Sequence, residues 1–121
     1  MAERLDDNAR DYVYSNGERV QVLRWTGSRA FISFNATSAR VALPAGAEMI
    51  ELVATESCYI AFGDVTVDAT AAINATSRLF TAGVQQVPVP IDPATDEPYT
   101  YVAAIEAAAT TPGILQIEEL A

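Results

Sequence analysis

The sequence contains no histidine, no lysine and only one cysteine, Cys58. Without histidine, the chain cannot assemble a Ser-His-Asp or Cys-His catalytic site, because both use an imidazole as the general base. One thiol cannot form a disulfide within the chain, and zinc and iron–sulfur sites require several cysteines or histidines. Cys58 begins an alternating segment, residues 58–62 (CYIAF). We therefore interpret it as a small structural strand residue and not as a reactive thiol.

Long hydrophobic runs are also missing. No segment approaches the roughly 18–20 apolar residues that a membrane-spanning helix needs, and the charged first residues lack the apolar core of a signal peptide. We expect a protein that is synthesised in a cytoplasm and has no membrane partner. On that interpretation the two Asn-Ala-Thr sequons, at Asn35 and Asn74, are not glycosylation sites.

Positive charge is scarce. Seven arginines stand against 16 aspartates and glutamates, which gives a net charge of −9 over 121 residues. An acidic surface repels phosphate backbones, so we expect no nucleic-acid partner. The same surface is compatible with docking onto a basic patch of another protein. A chain of this length has room for one domain.

The carboxylates are the remaining candidates for chemistry. Glu118 and Glu119 are adjacent, so a strand would point them to opposite faces. Asp64 and Asp68 surround a predicted turn, where aspartate commonly bonds the backbone. Residues 92–97 (DPATDE) offer oxygen ligands but lack the glycine and the closing glutamate of a calcium loop, which favours a solvated acidic loop. We predict no catalytic residue, no cofactor and no metal site; a small metal-free hydrolase is the remaining enzymatic alternative.

Apolar residues recur with a period of two from residue 19 onwards, as in residues 19–25 (RVQVLRW) and 48–53 (EMIELV). This period is typical of half-buried strands. Turn signals interrupt it every eight to twelve residues or so, the first at residues 26–28 (TGS). Pro88 and Pro90 restrict residues 84–90 to an edge strand, because each lacks a backbone donor. The pattern predicts an all-β fold, an antiparallel β-sandwich (jelly-roll or Ig-like) of about eight to ten short strands.

Two further features concern the interior of that sandwich. The tetrapeptide Asn-Ala-Thr-Ser occurs at residues 35–38 and 74–77, each time followed by a strand, an Ala-Gly turn and another strand. Either chance explains this echo, or two equivalent halves form facing parts of the sandwich. Large aromatic residues in or at the ends of strands are predicted to be core; they are Trp25, Phe31, Phe34, Phe62 and Phe80.

The first 16 residues differ from the rest. They are polar and charged and end at the turn signal Asn16-Gly17. We interpret residues 1–16 as an N-terminal arm and residues 17–121 as a single β-sandwich domain. Exposed apolar groups on an arm favour burial against a partner, and tyrosine is enriched at interfaces; the alternative is that they fold back onto their own domain. The predicted interface residues are Leu5, Tyr12, Val13 and Tyr14.

The second half of the chain resembles a family of small virion proteins of tailed bacteriophages. The resemblance rests on residues 58–70 (CYIAFGDVTVDAT), 81–84 (TAGV), 101–105 (YVAAI) and 113–117 (GILQI). It covers roughly residues 47–119 and marks a style of fold more than a role. Members of this family are β-sandwiches that decorate or cement capsids or lie in the head–tail region.

The resemblance implies a capsid decoration or cement protein that binds the assembled shell as a homo-oligomer. Its partners would be the major capsid protein and copies of itself, and its location the capsid exterior. The alternatives are a host- or glycan-binding module on a head or tail fibre, or a head–tail component. An exposed aromatic groove with polar groups would favour glycan binding, and a flat interface with an extending arm would favour cement.

Overall fold

The computed structural model describes the backbone of residues 2–3, 11–15 and 18–22, and backbone and side chains of residues 23–74 and 76–121. Throughout these ranges every regular element is a strand. The strands are β1 (Ala2–Glu3), β2 (Asp11–Ser15), β3 (Glu18–Val22), β4 (Trp25–Phe34), β5 (Ala39–Ala42), β6 (Met49–Ala54), β7 (Cys58–Gly63), β8 (Arg78–Phe80), β9 (Gly83–Pro88), β10 (Ile91–Asp92), β11 (Glu97–Pro98), β12 (Tyr101–Glu106) and β13 (Gly113–Leu120).

Eight of these strands form two four-stranded antiparallel sheets. We name them sheet I, with the order β4-β13-β6-β9, and sheet II, with the order β5-β12-β7-β8. Four of the pairings are nested along the chain: β4 with β13, β5 with β12, β6 with β9, and β7 with β8. One long hairpin folded over itself into two sheets is the jelly-roll topology. The predicted antiparallel sandwich is therefore confirmed, and its jelly-roll form is established.

The core lies between the two sheets and is built by alternation. In β6 the side chains of Ile50, Leu52 and Ala54 are buried, while those between them are only partly buried. Complete burial of one such aliphatic side chain contributes about 1.5–3 kcal/mol. The strand residues of the core cluster are Ile32, Phe34, Ile50, Leu52, Ala54, Cys58, Ile60, Phe80, Val102, Ala104, Leu115 and Ile117.

The turn predicted at residues 26–28 is wrong. These residues continue β4, whose pairing with β13 changes register there: Arg29 lies opposite Glu118, but Trp25 lies opposite Leu120. Gly27 has a φ of +92°, a conformation that side chains disfavour. Gly27 therefore accommodates an irregularity in the pairing of β4, which bends the strand locally but does not end it.

The edge-strand prediction for the proline-containing segment is confirmed. β9 ends at Pro88 and lies at the edge of sheet I, next to β6. At this edge the missing N–H of proline breaks no interior ladder.

The N-terminal strands form a separate three-stranded sheet in the order β1-β2-β3. In the hairpin of β2 and β3, Ser15 pairs with Glu18 and Asp11 pairs with Val22. On the described backbone, residues 11–15 and 18–22 are therefore paired strands. The division into an arm of residues 1–16 and a domain of residues 17–121 stays a prediction.

The echo of Asn-Ala-Thr-Ser does not place two halves face to face. Its two copies precede β5 and β8, which are the two edge strands of sheet II. Both asparagines accept a hydrogen bond from the threonine N–H two residues later, at 2.8 Å from Thr37 to Asn35 and 2.9 Å from Thr76 to Asn74. The repeated tetrapeptide therefore marks the same local turn at two edges of one sheet.

Candidate interaction surface

The outer faces of the two sheets differ. On sheet II, the loop of residues 64–77 packs over the middle strands, and Ala61 of β7 and Ala103 of β12 are fully buried beneath it. Ala69 of the loop belongs to the same small cluster, and Ala69 N–H donates to Ser38 Oγ at 2.9 Å. The loop thus covers the middle strands of this outer face, whereas Leu79 of the edge strand β8 is 44% exposed.

The outer face of sheet I instead presents an ordered polar row. Glu51 lies between Glu118 of β13 and Gln86 of β9 in the strand register. Glu118 Oε1 accepts from Gln116 Nε2 at 2.8 Å and pairs with Arg29 Nε at 3.3 Å. These contacts hold the row in place and leave Glu118 buried although it lies on an outer face.

The indole of Trp25 joins the same row. Its Nε1–H donates to Glu51 Oε1 at 3.2 Å, and Gln86 Nε2 donates to Glu51 Oε2 at 3.3 Å. Both oxygens of this carboxylate are therefore occupied within the protein. A surface whose polar groups already bond one another needs little rearrangement when a partner covers it.

Apolar side chains flank the polar row. Phe31 is 64% exposed and Trp25 is 67% exposed, and Val84 and Ile114 are exposed on the same face. The prediction that Trp25 and Phe31 belong to the core is therefore wrong, whereas Phe34 and Phe80 are buried as predicted. Phe62 is partly buried and packs against the core.

The strand period explains the error and could have prevented it. Ile32 and Phe34 point into the core, so Phe31, which directly precedes Ile32, must point outwards. A segment that alternates two large inward residues with an outward aromatic carries its own signal of a surface aromatic. We name the set Trp25, Phe31, Val84 and Ile114, together with the polar row, the sheet I face.

Three of the four predicted interface residues, Tyr12, Val13 and Tyr14, lie in β2. In the register of that sheet they pair with Gln21, Val20 and Arg19 of β3. Leu5 lies outside the described residues.

The residues weighed for chemistry hold structural positions. Cys58 is fully buried in β7, and burial raises the pKa of its thiol to about 11. Asp64 accepts hydrogen bonds from the hydroxyl and the N–H of Thr66, at 2.6 and 2.8 Å, and these bonds lower the pKa of its carboxyl. Asp68 lies 3.5 Å from Arg40. The Asp64 contacts are those expected of an aspartate at a turn.

The other carboxylates are similarly engaged or scattered. Glu119 accepts from Thr26 Oγ1 at 2.8 Å, beside the register change in β4. Asp92 Oδ1 accepts from Ala94 N–H at 2.9 Å within the acidic loop. In the part of the chain that the structure describes, no three Asp, Glu, Cys or His side chains group as metal ligands.

Within that same part, no helix has the length and apolar character required to cross a membrane. Comparison with protein-family models, with curated proteins and with solved structures found no match for this chain.

Proposed function

We propose that this protein is a structural virion component of a tailed bacteriophage, a capsid decoration or cement protein without enzymatic activity. It binds the assembled shell through the sheet I face and associates with copies of itself. The observation that supports the proposal best is the asymmetry of the sandwich. The 64–77 loop covers the middle strands of one outer face, whereas the other face exposes Trp25 and Phe31 beside a preorganised polar row.

The composition of the sheet I face fits a protein partner. Aromatic residues and arginine are enriched at the centre of protein interfaces, and tryptophan is prominent among the residues whose truncation weakens binding most. The face combines Trp25, Phe31 and Arg29 on one strand, β4. A protein bound in this way stabilises a shell because it binds the assembled form in preference to free subunits.

The number of copies per virion tests the proposed role as a capsid decoration protein. Quantitative mass spectrometry of purified virions of the encoding phage should find the protein on the order of hundreds of copies, as a repeating lattice requires. A count of about a dozen or fewer would place it at the tail or the head–tail junction instead.

Binding of protein variants to the shell tests whether the sheet I face is the docking surface. The double substitution Trp25→Ser/Phe31→Ser should weaken binding of the full-length protein to shells that lack it by about 2–4 kcal/mol. Ile73→Ser is the matched control, since Ile73 is 71% exposed in the loop over sheet II. If the control weakens binding as much as the double substitution, the sheet I face is not the docking surface.

A glycan-binding module is the second candidate, and the exposed indole of Trp25 beside Glu51 favours it. Sugars stack on such rings and hydrogen bond to carboxylates. Two features of the sheet I face argue against it: its polar groups are already paired with one another, and its aromatics stand on a sheet surface instead of lining a groove. Saturable binding of an oligosaccharide that Trp25→Ser abolishes would reverse this preference.

A further inference from the structure

A pocket of about 560 Å³ opens at one end of the sandwich and shares no lining residue with the sheet I face. One wall is the turn that follows β5, and the other is the end of the β10–β11 hairpin with the start of β12. Its volume falls in the range of ligand-binding clefts. The lining residues are Ala42, Leu43, Pro44, Ala45, Gly46, Ala47, Glu48, Glu97, Pro98, Tyr99, Thr100 and Tyr101.

Some hydrogen-bond donors of this pocket are used by the fold. Leu43 N–H donates to Thr100 O at 2.8 Å, and Ala47 N–H donates to Pro44 O at 3.1 Å. Tyr99 N–H donates to Pro90 O at 3.0 Å. The two prolines of the lining have no N–H, and the lining has no arginine or side-chain amide. Its side-chain donors are the neutral hydroxyls of Tyr99, Thr100 and Tyr101, so no cation of the lining balances an anion placed beside Glu48 and Glu97.

Its acceptors, by contrast, are available. Among the residues that the structure describes, the carboxylates of Glu48 and Glu97 have no hydrogen-bond or ion-pair partner. Both side chains are exposed at the pocket, one on each wall. Between them Tyr99 and Tyr101 are partly exposed and supply aromatic rings.

We propose that this pocket binds a cationic side chain, an arginine, presented by a partner protein. A guanidinium has donors and no acceptor, which complements the two free carboxylates. It also stacks on aromatic rings, which attract a cation at short range. The net charge of −9 strengthens the attraction for a basic segment. A neutral sugar could use the hydroxyls of the lining, but it would leave both carboxylate charges unpaired.

The experiment is a titration of full-length, isotope-labelled protein followed by amide and tyrosine NMR signals. The ligand is acetyl-Gly-Arg-Gly-amide, and the control ligand is the same peptide with citrulline, which has nearly the same shape and no charge. We expect saturable shifts confined to residues 44–48 and 97–101 with the arginine peptide, and little response to citrulline. The affinity should fall when salt is raised.

Variants test the carboxylates themselves. Glu48→Gln/Glu97→Gln should weaken binding of the arginine peptide about three- to tenfold, as expected for two exposed ion pairs. Glu56→Gln is the matched control, because Glu56 is also exposed but does not line the pocket. The NMR spectrum of each variant reports directly whether it is folded.

Three results would overturn the assignment. They are equal responses to arginine and citrulline peptides, shifts spread over the whole acidic surface, and unchanged affinity in Glu48→Gln/Glu97→Gln. The pocket shares no residue with the sheet I face, so these outcomes are separate from the outcome of the shell-binding test.

Discussion

The thiol of Cys58 lies in the core between the two sheets, and burial raises its pKa from the ordinary 9.0 to about 11. At a given pH below 9 the native protein therefore holds about a hundredfold less thiolate at this position than the unfolded chain. We expect a thiol reagent to label the native protein at least about a hundred times more slowly than the protein in denaturant. Rapid stoichiometric labelling under native conditions would contradict this.

The same pKa difference predicts a dependence of stability on pH. Because the folded state favours the protonated thiol, its contribution to stability is fully present below pH 9 and is lost as the pH rises towards 11. The free energy of unfolding of Cys58→Ala should therefore fall less steeply over this interval than that of the parent protein. Parallel urea-unfolding series of the two proteins at each pH measure the difference.

Gly63 matters through close approach of the covering loop. A Cβ built on Gly63 would lie 2.7 Å from Val67 Cβ and 2.8 Å from Val67 Cγ2, far inside ordinary contact distance. Gly63→Ala should therefore displace the loop and destabilise the protein by about 1–3 kcal/mol, as overpacking does. In a Val67→Ala background the loss should be smaller but not zero, because the Cβ of residue 67 remains. An equal loss in both backgrounds, measured by urea unfolding, would show that Val67 is not the obstacle.

At the scale of the element, the 64–77 loop depends on a network of short polar bonds. Asn74 Oδ1 accepts from Thr76 N–H at 2.9 Å and Ser77 N–H at 2.8 Å, and Asn74 Nδ2 donates to Thr70 Oγ1 at 2.6 Å. Ser77 is itself buried and accepts from Thr70 N–H at 3.0 Å. The network closes the end of the loop just before β8.

The related residue Asn35 provides a comparison within the same chain, because its side chain accepts one bond, from Thr37 N–H at 2.8 Å. Asn74→Ala should destabilise the protein by about 1–2 kcal/mol, and Asn35→Ala by about 0.5–1 kcal/mol. Hydrogen exchange should accelerate at Ala69 and Ser77 in the first variant only. Equal effects of the two substitutions would mean that the loop is held by its alanine cluster alone.

Strand positions were largely predictable from the period of two, and the failures have physical reasons. Thr26-Gly27-Ser28 has the composition of a turn. However, a glycine with positive φ occurs both in hairpin turns and at register changes within a strand, and Gly27 is of the second kind. Ala61 and Ala103 alternate as outward residues of their strands but are buried, because the 64–77 loop folds back over β7 and also covers β12. Local patterns contain no information about such a cover.

At the scale of the molecule, the sequence indicated an antiparallel sandwich but could not choose its topology. Jelly-roll and Ig-like folds use the same alternating strands and turns, and they differ in which strands pair over long sequence distances. The nested pairing of β4 with β13 joins residues about as far apart as the domain allows. The sheet I face is likewise assembled from four strands, so only Phe31 signalled it locally.

The N-terminal sheet and the sheet I face are two distinct candidates for association, and truncation separates them. Among the residues whose side chains the structure describes, all members of both core clusters lie at or beyond Ile32, and Arg24 exchanges two backbone hydrogen bonds with Ala121, at 3.0 and 2.9 Å. Residues 23–121 should therefore fold alone, with an all-β circular dichroism spectrum and a melting temperature within a few degrees of the full chain. Residues 17–121 should aggregate more readily, because β3 would lose its partner β2 and leave unpaired backbone groups.

Light scattering and shell binding of both truncations and of full-length Trp25→Ser/Phe31→Ser then assign the interface. Loss of association in 23–121 alone would locate it in the N-terminal sheet around Tyr12, Val13 and Tyr14, and loss in the double substitution alone would locate it on the sheet I face. A truncation to 23–121 that fails to fold would show that the N-terminal sheet is part of the domain itself.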